Sequence, residues 1–131
     1  MIATQKNFKL PVCFLNIGGI SNITLINEEI GSNNFFSKDI GPGNCLIDSW
    51  VRKNSDKKFD KNGDLASQGK INEIILENAQ ELFHNRPNKK LSYDVNDFDV
   101  SFARGLSLEE GASTLTEFSA DIISNELRNY I

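Results

Sequence analysis

Asp39 stands two residues before Gly41-Pro42-Gly43, and Asp48 follows a few residues later. A carboxylate held at the end of an extended segment by a glycine-proline turn can serve as a general base or face a metal ion. The same residue types also build an ordinary turn, in which the aspartate satisfies nearby backbone N–H groups. Upstream, Gly18-Gly19 separates two β-rich runs. A glycine pair there lets backbone N–H groups approach a ligand with no Cβ in the way, as phosphate-binding turns require. Gly-Gly between strands is equally the composition of a plain hairpin. Taken as functional, the two loops describe a phosphate site beside a carboxylate.

Three strands and a helix must position these residues. Pro11 opens the run Val12 to Ile17, at the first strand position, which proline tolerates. Gly18-Gly19 turns the chain, and Ile20 to Ile26 returns as a strand rich in β-branched residues. A third strand is expected from about Gly31 to Lys38, completing an antiparallel meander that ends at Asp39. After the Gly41-Pro42-Gly43 turn, Asn44 is placed to cap a helix from Cys45 to about Lys53 with Leu46, Ile47, Trp50 and Val51 as its apolar stripe. Asp48 then shares a helix face with Asn44 and turns back toward the glycine loop; on pattern alone it is also an ordinary exposed helix acid.

The rest of the chain reads as packing. Ile71, Ile74, Ile75, Ala79, Leu82 and Phe83 have helical spacing over roughly Lys70 to His84. His84 falls at the polar end of that helix, where a solvated imidazole is the simplest reading. Ser107-Leu108-Glu109-Glu110 forms a capping box for a last helix that buries Ala112, Leu115, Phe118, Ile122 and Ile123. Thr114 and Thr116 on it can line a cleft or sit as surface hydroxyls. Asp60-Lys61-Asn62-Gly63-Asp64 superficially resembles a calcium loop, but its glycine comes too early and the terminal glutamate is missing. Calcium is rejected here, and no metal ligand is assigned.

Composition narrows the class. The 131 residues fit one domain and are long enough to bury a core. A net charge of −4 and dispersed basic residues argue against nucleic acid as a partner. No apolar run approaches the ~18 residues of a spanning helix, so no membrane is expected and a cytoplasmic location is. Cys13 and Cys45 have neither metal-ligand spacing nor the density of a disulfide framework. Both read as structural thiols, although a helix N-terminus at Cys45 would lower a thiol pKa.

The run Asn16 to Thr24, followed by Asp39-Ile40-Gly41-Pro42-Gly43-Asn44-Cys45-Leu46-Ile47-Asp48-Ser49-Trp50, closely resembles the anhydro-N-acetylmuramic acid kinase family. Phe59 to Lys70 and Ala112 to Ala120 support the resemblance, which runs from about Val12 to the C-terminus; in the family pattern Phe59 to Gly69 resembles a turn before a helix, with Gly69 easing a close backbone approach. It implies a two-lobed enzyme of the sugar kinase, heat-shock protein 70 and actin superfamily. Residues 1–10 would be an irregular entry segment, and residues 11–131 part of the C-terminal lobe. The fold expected is α/β at the level of the superfamily and α+β in this stretch: a three-stranded antiparallel meander followed by three main helices, a partial ribonuclease H-like or actin-like ATPase lobe.

The resemblance also implies an activity: hydrolytic opening of 1,6-anhydro-N-acetylmuramic acid with phosphorylation by ATP, giving N-acetylmuramic acid 6-phosphate in cell-wall recycling. Asp39 would be the base, and Gly18 and Gly19 would hold the triphosphate. Ser21 and Asn22 would support the hairpin or reach a phosphate oxygen. Gly41, Gly43 and Asn44 would position the base and the sugar, and Asp48 would act through its neighbours or through Mg²⁺-bound water. ATP and Mg²⁺ are the cofactors expected of an intact enzyme, and a fragment alone is expected to be inactive. The segment from Arg86 to Arg104 departs from the family pattern, keeping Pro87 and Lys89 but losing a Gly-Arg pair. Lys89 and Lys90 can still offer positive charge to an acidic sugar or simply be solvated. Rival readings are a phosphohydrolase of the same superfamily and a non-catalytic scaffold that retains the fold. An open sheet edge leaves monomer and homodimer as alternatives.

Overall fold

The computed structural model describes residues 11–26, 35–85 and 98–130. Strands β1 (Val12–Ile17), β2 (Ile20–Ile26) and β3 (Phe35–Pro42) form an antiparallel sheet in the order β1-β2-β3. Helices α1 (Cys45–Asn54), α2 (Asp64–Gln68), α3 (Glu73–His84) and α4 (Leu108–Leu127) follow, so the stretch is α+β, as the sequence indicates. Residues 1–10, 27–34, 86–97 and 131, which include the entry segment, the start expected for the third strand, Lys89 and Lys90, lie outside the described residues.

Alternation along the strands gives the sheet two unlike faces. One packs on α4, where Ile23, Ile40 and Ile123 form a small core with Cys13, Leu127 and Tyr130 against it. On that side Lys38 pairs with Glu126 of α4 and lies 5.4 Å from the centre of the Tyr130 ring. The opposite face is mixed, with Phe14 and the buried Ile26 beside Thr24 and Ser37, whose hydroxyls are hydrogen-bonded at 2.8 Å, and it turns polar toward Asn16, Asn22 and Asp39.

The third strand runs three residues beyond its expected end. Gly41 and Pro42 pair with Ser21 and Ile20 instead of turning, and the turn is confined to Gly43 and Asn44. Pro42 is tolerated because β3 lies at an edge of the described sheet, where a missing N–H costs no ladder bond on the outer side. Gly41 is needed for proximity: a Cβ there would stand 2.7 Å from a methyl group of Ile122 on α4.

Helix α4 is the centre of the molecule and touches α1, α2, α3 and β3. Ser107 caps it by accepting from the Glu110 N–H at 3.1 Å, as the capping box predicts. The main core gathers Leu46, Trp50 and Val51 of α1, Leu65 of α2, Leu76 and Ala79 of α3, and Ala112, Leu115, Phe118 and Ile122 of α4. The indole N–H of Trp50 donates to the Leu108 carbonyl at 2.9 Å, and the ring lies over Gly111, where a methyl would overlap it. Phe118 meets the rings of Phe83 and Phe102 edge-on.

Helix α2 stands where a plain turn is expected. The Asp60 carboxylate accepts from the N–H groups of Leu65 and Ala66 at 2.7 and 3.0 Å, while Asn62 and Gly63 adopt left-handed backbone to bring the chain round. The aspartate that superficially resembles a calcium ligand is thus a helix anchor. Gly69 ends α2 so close to α4 that a Cβ would overlap the Glu109 carbonyl, the close backbone approach expected of it. Helix α3 begins later than its apolar spacing suggests, because Asn72 caps it through the Ile75 N–H at 3.0 Å.

Candidate functional site

The two glycine loops are bonded to each other. The Gly19 carbonyl accepts from the N–H groups of Gly43 and Cys45 at 2.9 and 3.1 Å, and the Gly18 carbonyl accepts from Asn44 at 2.8 Å. The β1-β2 turn therefore caps the start of α1 with backbone oxygens. Asn44 occupies the N-cap position, but its side chain makes no capping bond, in contrast to the expectation from its type. Gly43 lets the loops meet, because a methyl there would overlap the Gly18 carbonyl oxygen.

This junction decides which groups can face a ligand. The N–H groups of Gly43, Asn44 and Cys45 are thus taken by the turn. A trans peptide places its N–H opposite its C=O; with the Gly18 carbonyl turned to α1, the Gly19 N–H points away from the helix. Beside Gly18 there is room, since a Cβ would meet nothing nearer than the Ile20 carbonyl at 3.8 Å. The turn thus offers bare backbone on its outer side, which fits a phosphate group.

A bulge sets the direction of Asp39. Ser21 pairs with Gly41 but Asn22 pairs with Asp39, so β3 carries one extra residue between these pairs. Ile40 and Gly41 both turn toward α4, Ile40 into the small core and Gly41 against Ile122. Asp39 is left half-buried on the polar face, next to Asn22. Without the extra residue it would oppose Ile23 and enter the core. Asn16 pairs with Asn22 in turn, so Asn16, Asn22 and Asp39 form one row across three strands on that face, close to the glycine turn.

Ser21 belongs to the other face. It is fully buried, and its hydroxyl donates to the Pro42 carbonyl at 3.3 Å, tying β2 to the end of β3. Asp48 lies half-buried on α1; burial raises its carboxyl above the ordinary 3.8, and Arg52 opposes this. Cys45 is a free thiol that burial pushes up, outweighing the N–H groups at the helix start that act to lower it. Thr114 is buried and accepts from the Asn72 N–H at 3.0 Å, while Thr116 is exposed and donates to the Ala112 carbonyl at 2.7 Å. His84 is exposed at the end of α3, away from the loops in sequence and on another element.

Asn16 is the residue that sequence reasoning passes over. The register hid it: a two-residue turn at Gly18-Gly19 would set Asn16 opposite Ser21, and only the three-residue loop 18–20, with Ile17 paired to Ser21, brings Asn16 opposite Asn22.

Comparison with known proteins places the chain among a family of kinases by overall similarity. The model of a family described as anhydro-N-acetylmuramic acid kinase matches residues 2–130. An anhydro-N-acetylmuramic acid kinase of Pelagibacter ubique is 49% identical over 124 residues, 94% of this chain and 33% of the relative. Proteins of the same name from Rhodopseudomonas palustris and Zymomonas mobilis are 41% and 36% identical over 87% and 89% of the chain. The chain thus spans about a third of the length of the curated relatives it matches.

Proposed function

The chain belongs to the anhydro-N-acetylmuramic acid kinase family, and we propose that it supplies the base-bearing wall of an enzyme that opens the 1,6-anhydro bridge of anhydro-N-acetylmuramic acid and phosphorylates the sugar with ATP. The single observation that carries this reading is the bulge that turns Asp39 onto the polar sheet face beside the glycine turn.

In the reaction, water adds to the anomeric carbon, the bond from that carbon to the bridging oxygen breaks, and the released oxygen takes the γ-phosphoryl group of ATP, whose bond to the β–γ bridging oxygen breaks to release ADP. Asp39 accepts the proton of the attacking water, a role that needs a carboxylate held by rigid backbone on both sides. The Gly18-Gly19 turn carries the triphosphate on its outer N–H side, and Gly41 and Gly43 fix the strand end and loop that present the base and the sugar. Ser21 contributes by locking β2 to β3, and Asn44 by its backbone bond to the turn. Mg²⁺, when bound with ATP, neutralises phosphate charge. It is commonly held by one or two carboxylates together with phosphate oxygens and water; Asp48 would act on it through bound water, and Asp39 is kept as the base. The product, N-acetylmuramic acid 6-phosphate, places the enzyme in recycling of cell-wall sugar in the cytoplasm.

The test is Asp39→Asn in the full-length protein that contains this sequence. Turnover of the anhydro sugar is expected to fall ~10²–10⁴-fold, the usual contribution of a positioned base, with ATP binding retained. Near-normal turnover would remove Asp39 from the mechanism.

A further inference from the structure

We infer that Asn22 is a catalytic residue that holds the attacking water against Asp39, with its side-chain carbonyl oxygen as the second acceptor on that water. The inference rests on the reading of Asp39 as the base and adds the group that aims the nucleophile. The bulge pairs Asn22 with Asp39 across β2 and β3, so both side chains stand on one face. Directly paired residues of an antiparallel sheet hold their Cβ atoms about 4.5–5.5 Å apart. Asn22 is half-buried, and among the described residues its side-chain amide has no hydrogen-bond partner. Two short polar side chains that stand side by side without a bond between them are spaced for one bridging water. Asn22 also lies only three residues beyond Gly19. A water held there is one strand end away from the turn proposed to carry the triphosphate. The anhydro bridge demands such closeness, because it joins the carbon that water attacks to the oxygen that takes the phosphoryl group.

The chemistry of the groups fixes how the water sits. A water has two O–H donors, and an ionised carboxylate only accepts. One O–H points to Asp39, which takes that proton as the water oxygen bonds to the anomeric carbon. The other donates to Oδ1 of Asn22, leaving a lone pair of the water free to form the new bond. The electrons of the broken carbon–oxygen bond pass to the bridging oxygen, which attacks the γ-phosphorus of ATP and expels ADP. An NH₂ turned to the water would instead occupy the lone pair that attacks, so the amide presents its carbonyl. Asp39 has a further interaction of its own. Its carboxylate offers about four acceptor sites, enough for the water as well.

The test is the structure of the full-length protein with the anhydro sugar and a non-hydrolysable ATP analogue, read together with the kinetics of Asn22→Ala and Asn22→Ser. A water is expected within about 2.6–3.2 Å of both Oδ1 of Asn22 and a carboxylate oxygen of Asp39. Asn22→Ala is expected to lower kcat by about tenfold to a hundredfold, the scale of a small misplacement of a reacting group, with the KM for ATP little changed. Asn22→Ser, whose hydroxyl still accepts, is expected to lose less. In an Asp39→Asn background, Asn22→Ala is expected to cost little more, because the two side chains act on one water. The full loss repeated in that background would mark a merely structural effect and overturn the inference. An Asn22 amide bonded to a triphosphate oxygen, with a raised KM for ATP in Asn22→Ala, would overturn it as well. A water on Asp39 that Asn22 does not touch, with Asn22→Ala matching the unsubstituted enzyme, keeps the base and refutes the role of Asn22. A water on Asn22 whose other partner is a different carboxylate, with Asp39→Asn active, keeps Asn22 and removes Asp39.

Discussion

At the residue scale, burial and not the helix terminus governs the two ionisable groups on the first turns of α1. Burial raises the carboxyl of Asp48, so the folded protein binds its proton more readily than the unfolded chain does. Stability therefore falls as pH rises from the ordinary 3.8 through the raised folded value, and the charged form is carried at a cost at neutral pH. Asp48→Asn is expected to raise the melting temperature slightly at pH 7 and to lose that advantage below about pH 4, where the wild-type carboxyl is protonated in both states. Melting curves at the two pH values check it; a loss of stability at pH 7 would mean that the charge is held by a favourable contact. Cys45 follows the same logic. Its half-buried thiol is expected to react slowly with iodoacetamide at pH 7.5 and to speed up as pH rises, opposite to an activated thiol. The chemistry of these side chains was legible in the sequence as residue type, but the sign of the shift at Cys45 was not, because sequence locates a helix start without revealing how deeply the loop before it is covered.

At the element scale, the hairpin and α1 form one rigid unit joined by backbone bonds between the glycine loops. The two kinds of glycine in it have different purposes. A methyl at Gly43 overlaps the Gly18 carbonyl oxygen and stands 3.0 Å from the Ser21 hydroxyl, whereas a methyl at Gly18 has room. Gly43→Ala is accordingly expected to cost about 1–3 kcal/mol, an overpacking penalty, and to lower the melting temperature by several degrees. Gly18→Ala is expected to leave the melting temperature nearly unchanged and, in the full-length protein, to raise the KM for ATP by crowding the phosphate side of the turn. Equal effects of the two substitutions on stability would show that the turn, too, is fixed by packing. The alternating pattern and turn residues made the three strands and the long helices readable. Two features were hidden for physical reasons. Helix α2 depends on a carboxylate reaching five and six residues ahead, a span that no capping pattern describes. The bulge depends on Ile40 and Gly41 turning to the same side, which is settled by the packing of Ile40 on Ile123 and of Gly41 on Ile122 rather than by any local motif.

At the scale of the whole molecule, α4 joins two cores, the helical one and the small one beneath the sheet, and so leaves the part of the sheet that carries Asn22 and Asp39 turned away from α4. That face and the outer side of the Gly18-Gly19 turn make up one wall of the proposed site. A single wall can supply a few hydrogen bonds to a triphosphate, each competing with water, without the enclosure that buries most of a ligand in a formed pocket. Relatives of this chain are about three times its length, so the proposed enzyme draws on much more polypeptide than these residues. Calorimetric titration of the 131-residue chain with ATP and Mg²⁺ is therefore expected to show no saturable binding tighter than about 1 mM, equivalent to roughly −4 kcal/mol. The full-length protein should bind ATP measurably, and Gly18→Ala should weaken that binding. Micromolar binding by the short chain, abolished by Gly18→Ala, would mean instead that the turn and its surroundings enclose the nucleotide unaided, and the single-wall account would have to be abandoned.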